Sequence, residues 1–138
     1  MIVYLDTSAV IRFLLNDTAK FANFGKWDKQ GSSELLEVEC HRTFDCMRLQ
    51  GALNDLEVVD LKDELNELLK KVEIIELSSR IITRAKGSFP VVVRTLDALH
   101  LATAEAWGKY LDKQVTVVTH DKQMSLASKS IGLEVVSE

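Results

Sequence analysis

Short apolar runs rich in β-branched residues alternate along this chain with stretches whose apolar positions recur every three or four residues, which predicts strands separated by helices. Ile2-Val3-Tyr4-Leu5 is the first run; Asp6-Thr7-Ser8 ends it, and Val10, Ile11, Phe13, Leu14 and Leu15 follow at helical spacing. Asn16-Asp17-Thr18 reads as the cap of a second helix that carries Phe21, Phe24 and Trp27 and ends near Gly31. A brief strand around Ser32 to Leu35 precedes a long helix from about Leu36 to Leu49, stopped by Gly51. Leu56, Val59, Leu61, Leu65, Leu68 and Leu69 mark a one-sided helix between Leu53 and Lys71.

Val72 to Leu77 reads as a further strand, and Ser78-Ser79 open a helix through Ala85 that breaks at Gly87 and Pro90. Thr95 is placed as the cap of a helix that holds Asp97 and runs to about Trp107 or Tyr110. Val115 to Thr119 is the clearest buried strand; a helix over Lys122 to Ser130, a terminating Gly132 and a last strand over Leu133 to Val136 complete the chain. This order implies an α/β fold with a mostly parallel sheet covered on both faces and right-handed crossovers. With 138 residues and no linker or repeat, residues 1–138 are expected to form one domain.

Composition narrows the function classes. No apolar run approaches the roughly 18 residues of a bilayer span, and the start meets Asp6 without a basic leader, so no membrane segment and a cytoplasmic location are expected. Cys40 and Cys46 share one helix with roughly 9 Å of rise between them, too far to bridge, and are expected to be reduced and packed. The net charge of −4 argues against a general nucleic-acid coat and leaves a few cations, Arg12, Arg42, Arg48, Arg94 and Lys122, as candidates to hold an anionic substrate. Phosphate-cradling glycine motifs are absent from the six glycines, and no Ser-His-Asp or Cys-His arrangement has local support.

Chemistry concentrates in acids at strand ends and helix starts: Asp6, Glu39, Asp97 and Asp121. In an open α/β sheet the ligand site lies beyond the carboxyl ends of the strands where strand order reverses, so Asp6 and Asp121 share an edge if their strands are neighbours. Carboxylates without accompanying Cys or His pairs suit Mg²⁺ or Mn²⁺, whose use in enzymes is to activate water or clamp phosphate; this points to phosphodiester cleavage. Each acid also has an ordinary role. Asp97 suits the dipole of its helix, Asp121 is a natural cap, and helical spacing does not choose Glu39 over Glu34 or Glu37.

Ile2-Val3-Tyr4-Leu5-Asp6-Thr7-Ser8-Ala9, Ser32 to Glu39, Leu96 to Ala104 and Val118-Thr119-His120-Asp121 resemble, in order, the successive blocks of PIN-domain proteins, specifically VapC-type toxins. The resemblance implies a three-layer α/β/α sandwich on a mostly parallel sheet of four to five strands. It also implies a Mg²⁺- or Mn²⁺-dependent endoribonuclease acting on RNA, a homodimer, and a cognate VapB-like antitoxin. Asp6, Glu39, Asp97 and Asp121 would be the metal-binding acids, with Thr7 or Ser8 and Thr119 as supporting hydroxyls. A housekeeping RNA-processing nuclease, and a non-catalytic module binding RNA or protein, are the alternatives. His100, one turn beyond Asp97, is expected to pack or lie exposed, with a hydrogen-bond donor behind the site or a substrate contact as the other options; His41 and His120 have no zinc-like spacing, and the aromatic residues are mostly assigned to the core.

Overall fold

The computed structural model describes residues 1–16 and 26–137. Its elements are β1 (Ile2–Leu5), α1 (Thr7–Leu15), β2 (Lys29–Ser33), α2 (Leu35–Leu49), α3 (Asp55–Leu69), β3 (Glu73–Ile75), α4 (Ser79–Ala85), α5 (Thr95–Leu111), β4 (Val115–Thr119), α6 (Lys122–Ser130) and β5 (Glu134–Ser137). The strands pair in the order β3-β2-β1-β4-β5, every pair parallel.

Period-two alternation in β1 sorts the two cores. Val3 and Leu5 face one layer, where they meet Ala9, Val10 and Leu14 of α1, Leu36, Cys40 and Phe44 of α2, and Val58, Leu61, Leu65 and Leu68 of α3. Tyr4 points the other way, into a cluster with Leu101, Ala104 and Trp107 of α5, Val115 and Val117 of β4, and Met124 and Ala127 of α6. Because both faces are covered, β1 and β4 are buried along most of their length, as central parallel strands require.

The carboxyl ends carry the site because of this order. Chain connection runs outward from β1 through β2 to β3, then returns to the far side of β1 for β4 and β5, so strand order reverses between β1 and β4. Leu5 pairs with Val118, and the Asp6 N–H donates to the Val118 carbonyl at 3.0 Å, which sets Asp6 beside Thr119 at the sheet edge.

Several element expectations need correction. The second helix falls largely outside the described residues, but Gly31 does not terminate it: Gly31 is in β2, paired with Tyr4. A Cβ there would lie 2.7–3.0 Å from the Trp107 ring, so only glycine lets α5 pack this close to the strand. The brief strand lies at Lys29–Ser33 and Leu35 already belongs to α2, because Gln30, Ser32 and Ser33 are buried as polar residues that an apolar pattern does not mark. Thr95 is not a cap: Arg94 holds the N-cap position, its carbonyl accepting from Ala98 N–H at 2.8 Å with no side-chain cap bond. Cys40 is packed, whereas Cys46 is exposed; both are free. Gly51 and Gly132 end their helices at φ +79° and +86°, the left-handed region where glycine has no Cβ penalty. Among the described residues, no helix is long and apolar enough to cross a membrane.

Candidate metal and phosphodiester site

Asp6 leaves β1 in extended backbone and starts α1, so its carboxylate is fixed by the strand and not by a flexible loop. It is buried at 4% exposure and its Oδ2 accepts two hydroxyl bonds, from Ser8 and Thr119, each at 2.7 Å. Those hydroxyls lie 3.1 Å from each other, and Ser8 Oγ also accepts from the His120 N–H at 3.0 Å. The β1–α1 and β4–α6 junctions are thereby tied together through one carboxylate oxygen. Oδ1 receives no hydrogen bond among the described residues.

Asp121 occupies the N-cap of α6, and its Oδ1 accepts from the Met124 N–H at 2.9 Å. The ordinary capping role is therefore present, and it uses one of two oxygens. Asp97 lies in the first turn of α5. Its carboxyl is pushed up from the ordinary 3.8 by partial burial and then by the negative charges of Asp6 and Asp121, with Glu39 adding to them and His100 opposing. The charges of Asp6, Asp121 and Glu39 thus all reach Asp97, with burial the larger cause of its shift.

Glu39 is separated from its competitors by what it touches. Glu34 accepts from the Leu77 N–H at 2.7 Å and Glu37 lies 3.9 Å from His41 on the solvated side of α2. Glu39 Oε1 instead accepts from Thr7 Oγ1 at 2.9 Å and meets His100 Nε2 at 2.6 Å. Burial raises the Glu39 carboxyl, but the hydrogen bond and charge of His100 and the Thr7 hydroxyl outweigh it, and the net direction is down.

Of the roles expected for His100, the exposed position needs correction. It is buried at 1% exposure with polar partners on both nitrogens: Nδ1 is 2.7 Å from Tyr4 Oη, and Thr7 Oγ1 lies 3.3 Å from Nε2. Burial alone would depress its pKa; the bond to Glu39 and the charges of Asp6, Glu39 and Asp97 raise it above 6.5. Tyr4 stays a neutral phenol, its pKa driven up by burial and by Asp6. The available signal was position alone, one helical turn after Asp97.

The donor set has the chemistry of a site for a hard divalent cation. Asp97 accepts no hydrogen bond among the described residues, and Asp6, Glu39 and Asp121 each keep an oxygen beyond the one the protein engages. Among the described residues, no three His, Cys, Asp or Glu side chains close into a ready-made ligand cage. Unscreened carboxylates repel, and that repulsion adds to burial in pushing Asp97 up. Of the candidate substrate cations, Arg42 and Arg48 both pair with Asp45 on α2, whereas Arg12 reaches His120 Nε2 at 2.8 Å at the rim of the edge.

A family model described as PIN domain matches residues 3–129. Ribonuclease VapC46 of Mycobacterium tuberculosis is 35% identical over 143 residues, covering 98% of this chain and 96% of that protein. Among solved structures, FitAcB from Neisseria gonorrhoeae matches with a TM-score of 0.74 at 16% identity, covering 98% of this chain and 96% of that one. A toxin-antitoxin complex from Klebsiella pneumoniae matches with a TM-score of 0.66 at 16% identity and the same two coverages.

Proposed function

The chain belongs to the PIN-domain family, and from that premise we propose that it is a divalent-metal-dependent endoribonuclease, the toxin of a VapBC-type toxin–antitoxin pair. The observation that carries the reading is the adjacency of β1 and β4, which sets Asp6 at the edge where α6 opens on Asp121 and where Asp97 feels both charges. The relative named a ribonuclease and the fold shared with a toxin-antitoxin complex support it. A cognate VapB-like antitoxin, an RNA substrate, a homodimer, a cytoplasmic location and a single working domain over residues 1–138 belong to the same proposal.

Asp6, Glu39, Asp97 and Asp121 would hold Mg²⁺ or Mn²⁺. When bound, the cation supplies positive charge that acidifies a water and stabilises charge building on the scissile phosphate. The chain's own residues do the orienting. Ser8 and Thr119 pin Asp6 through Oδ2, and Thr7 donates to Glu39 Oε1, so the acids reach the edge already oriented. In-line attack of water on phosphorus with departure of the 3′-oxygen gives a 5′-phosphate and a 3′-hydroxyl. Incubating the protein with RNA and Mg²⁺ should yield fragments with those ends. Asp6→Asn should abolish them without lowering the melting temperature appreciably, and full cleavage by that variant would refute the assignment.

A further inference from the structure

We propose that His100 is a positioning residue: anchored by Tyr4 at Nδ1, it grips Glu39 Oε1 through Nε2 and so presents Oε2 of that carboxylate at the strand edge. The inference rests on the nuclease reading for its cleavage readout, and on geometry for everything else.

Glu39 stands on α2, in the layer built on Val3 and Leu5, whereas His100 stands on α5, in the layer built around Tyr4. Their 2.6 Å contact therefore closes over the end of β1 and joins both layers, with Thr7 of α1 sharing the same oxygen at 2.9 Å. An ionised carboxylate only accepts, so Nε2 carries the proton in this bond. In the neutral ring Nδ1 must then accept from the Tyr4 hydroxyl, 2.7 Å away; Tyr4 fixes which nitrogen faces Glu39. The two rings meet edge to face at 5.8 Å and 72°, which leaves the imidazole little freedom to turn.

A histidine present only to fill space would be a costly choice. His100 is buried at 1% exposure, and burying an imidazole is tolerable only because both nitrogens find partners. Those partners are a strand tyrosine and one candidate metal-binding acid. With Oε1 taken by two donors, Oε2 is the oxygen left for a cation, and the helix-borne Glu39 is held in one rotamer. Partners behind a ligand typically change metal affinity or activity by about 10- to 100-fold when removed.

The test compares H100L, which keeps apolar volume without a donor, with H100Q, whose amide N–H can stand near Nε2, and with Y4F, which removes the hydroxyl that anchors Nδ1 and that also faces Ser32 and Thr103. Titration calorimetry with Mn²⁺ alone reads positioning without RNA. H100L should bind Mn²⁺ at least about tenfold more weakly than wild type, H100Q should recover most of that loss, and Y4F should fall between wild type and H100L. Cleavage should show the loss in kcat with KM within about threefold. In an Glu39→Ala background, H100L should have no further effect on either readout. Wild-type Mn²⁺ affinity in H100L, equal losses in H100L and H100Q, or full additivity with Glu39→Ala would each overturn the proposal. Should H100L fail to fold, Y4F with wild-type Mn²⁺ affinity overturns it. RNA left intact by wild-type protein that nevertheless shows the expected Mn²⁺ pattern would refute the nuclease reading and support the positioning.

Discussion

Glu39 and Asp45 stand on the same helix, six residues apart, and both carboxyls are held below their ordinary values, yet the two regions around them are built differently. Asp45 is flanked within α2 by Arg48 at 3.0 Å and Arg42 at 3.2 Å, a local arrangement that any exposed helix can make. Glu39 takes its partners from α1 and α5, elements that meet it only once the sheet has formed. A surface pair contributes little because water already solvates both ions and salt screens them. A bond from a sealed histidine has no such substitute, and breaking it leaves a buried polar group unpaired. A depressed carboxyl therefore says little until its cause is known.

Substitutions can break that contrast, and the largest effect belongs to the acid edge. Glu39→Ala should lower RNA cleavage by at least about 100-fold, whereas Asp45→Asn should leave it within about twofold in the same assay. Metal stabilisation comes next. Saturating Mn²⁺ should raise the melting temperature of the wild type and of Asp45→Asn by roughly 5–8 °C, and that of Asp6→Asn by less than about 2 °C, read by scanning calorimetry. Equal shifts in all three would place the cation elsewhere.

A smaller effect sharpens the comparison through pH. Glu39 has a folded pKa below 4.5, so its stabilisation is complete above that value and is lost as pH falls through the lower folded value. His100 has a folded pKa above 6.5, so its stabilisation is complete below 6.5 and is lost as pH rises through the higher folded value. Denaturant unfolding of metal-free protein should show the stability gap between wild type and H100L widest between about pH 4.5 and 6.5 and narrower at pH 9. A gap independent of pH would mean that the pair is not ionic. The smallest effect is on the solvated side: Asp45→Asn should move the melting temperature by no more than about 2 °C.

The sheet was legible where it is apolar. Val115 to Thr119 was found with its observed bounds, and Asp6 and Asp121 were placed at strand ends because apolar runs stop there. β2 departs from its expected bounds because its residues are buried without being hydrophobic: the Ser32 hydroxyl donates to the Leu5 carbonyl at 2.7 Å and the Gln30 amide nitrogen to that of Lys71 at 3.0 Å, partners distant in sequence. Gly31 departs from the expected helix end for a related reason, since its lack of a side chain answers the Trp107 ring, 76 positions onward, and not a local turn. At the candidate site the sequence leaves the role of His100 open between packing, exposure and a contact beside the acids. Its position one turn past Asp97 was visible, but Tyr4 and Glu39 reach it from other elements, and no local spacing encodes that meeting.

In the proposed function, carboxylates scattered along the chain hold a divalent cation at the β1–β4 edge. Anomalous diffraction from crystals of the protein soaked in Mn²⁺ tests it most directly. The account predicts a peak bound by Asp6 with at least one oxygen from Asp97 or Asp121, and loss of that peak in Asp6→Asn. A strong Mn²⁺ peak elsewhere on the protein with that edge empty, or one that survives Asp6→Asn unchanged, would contradict it.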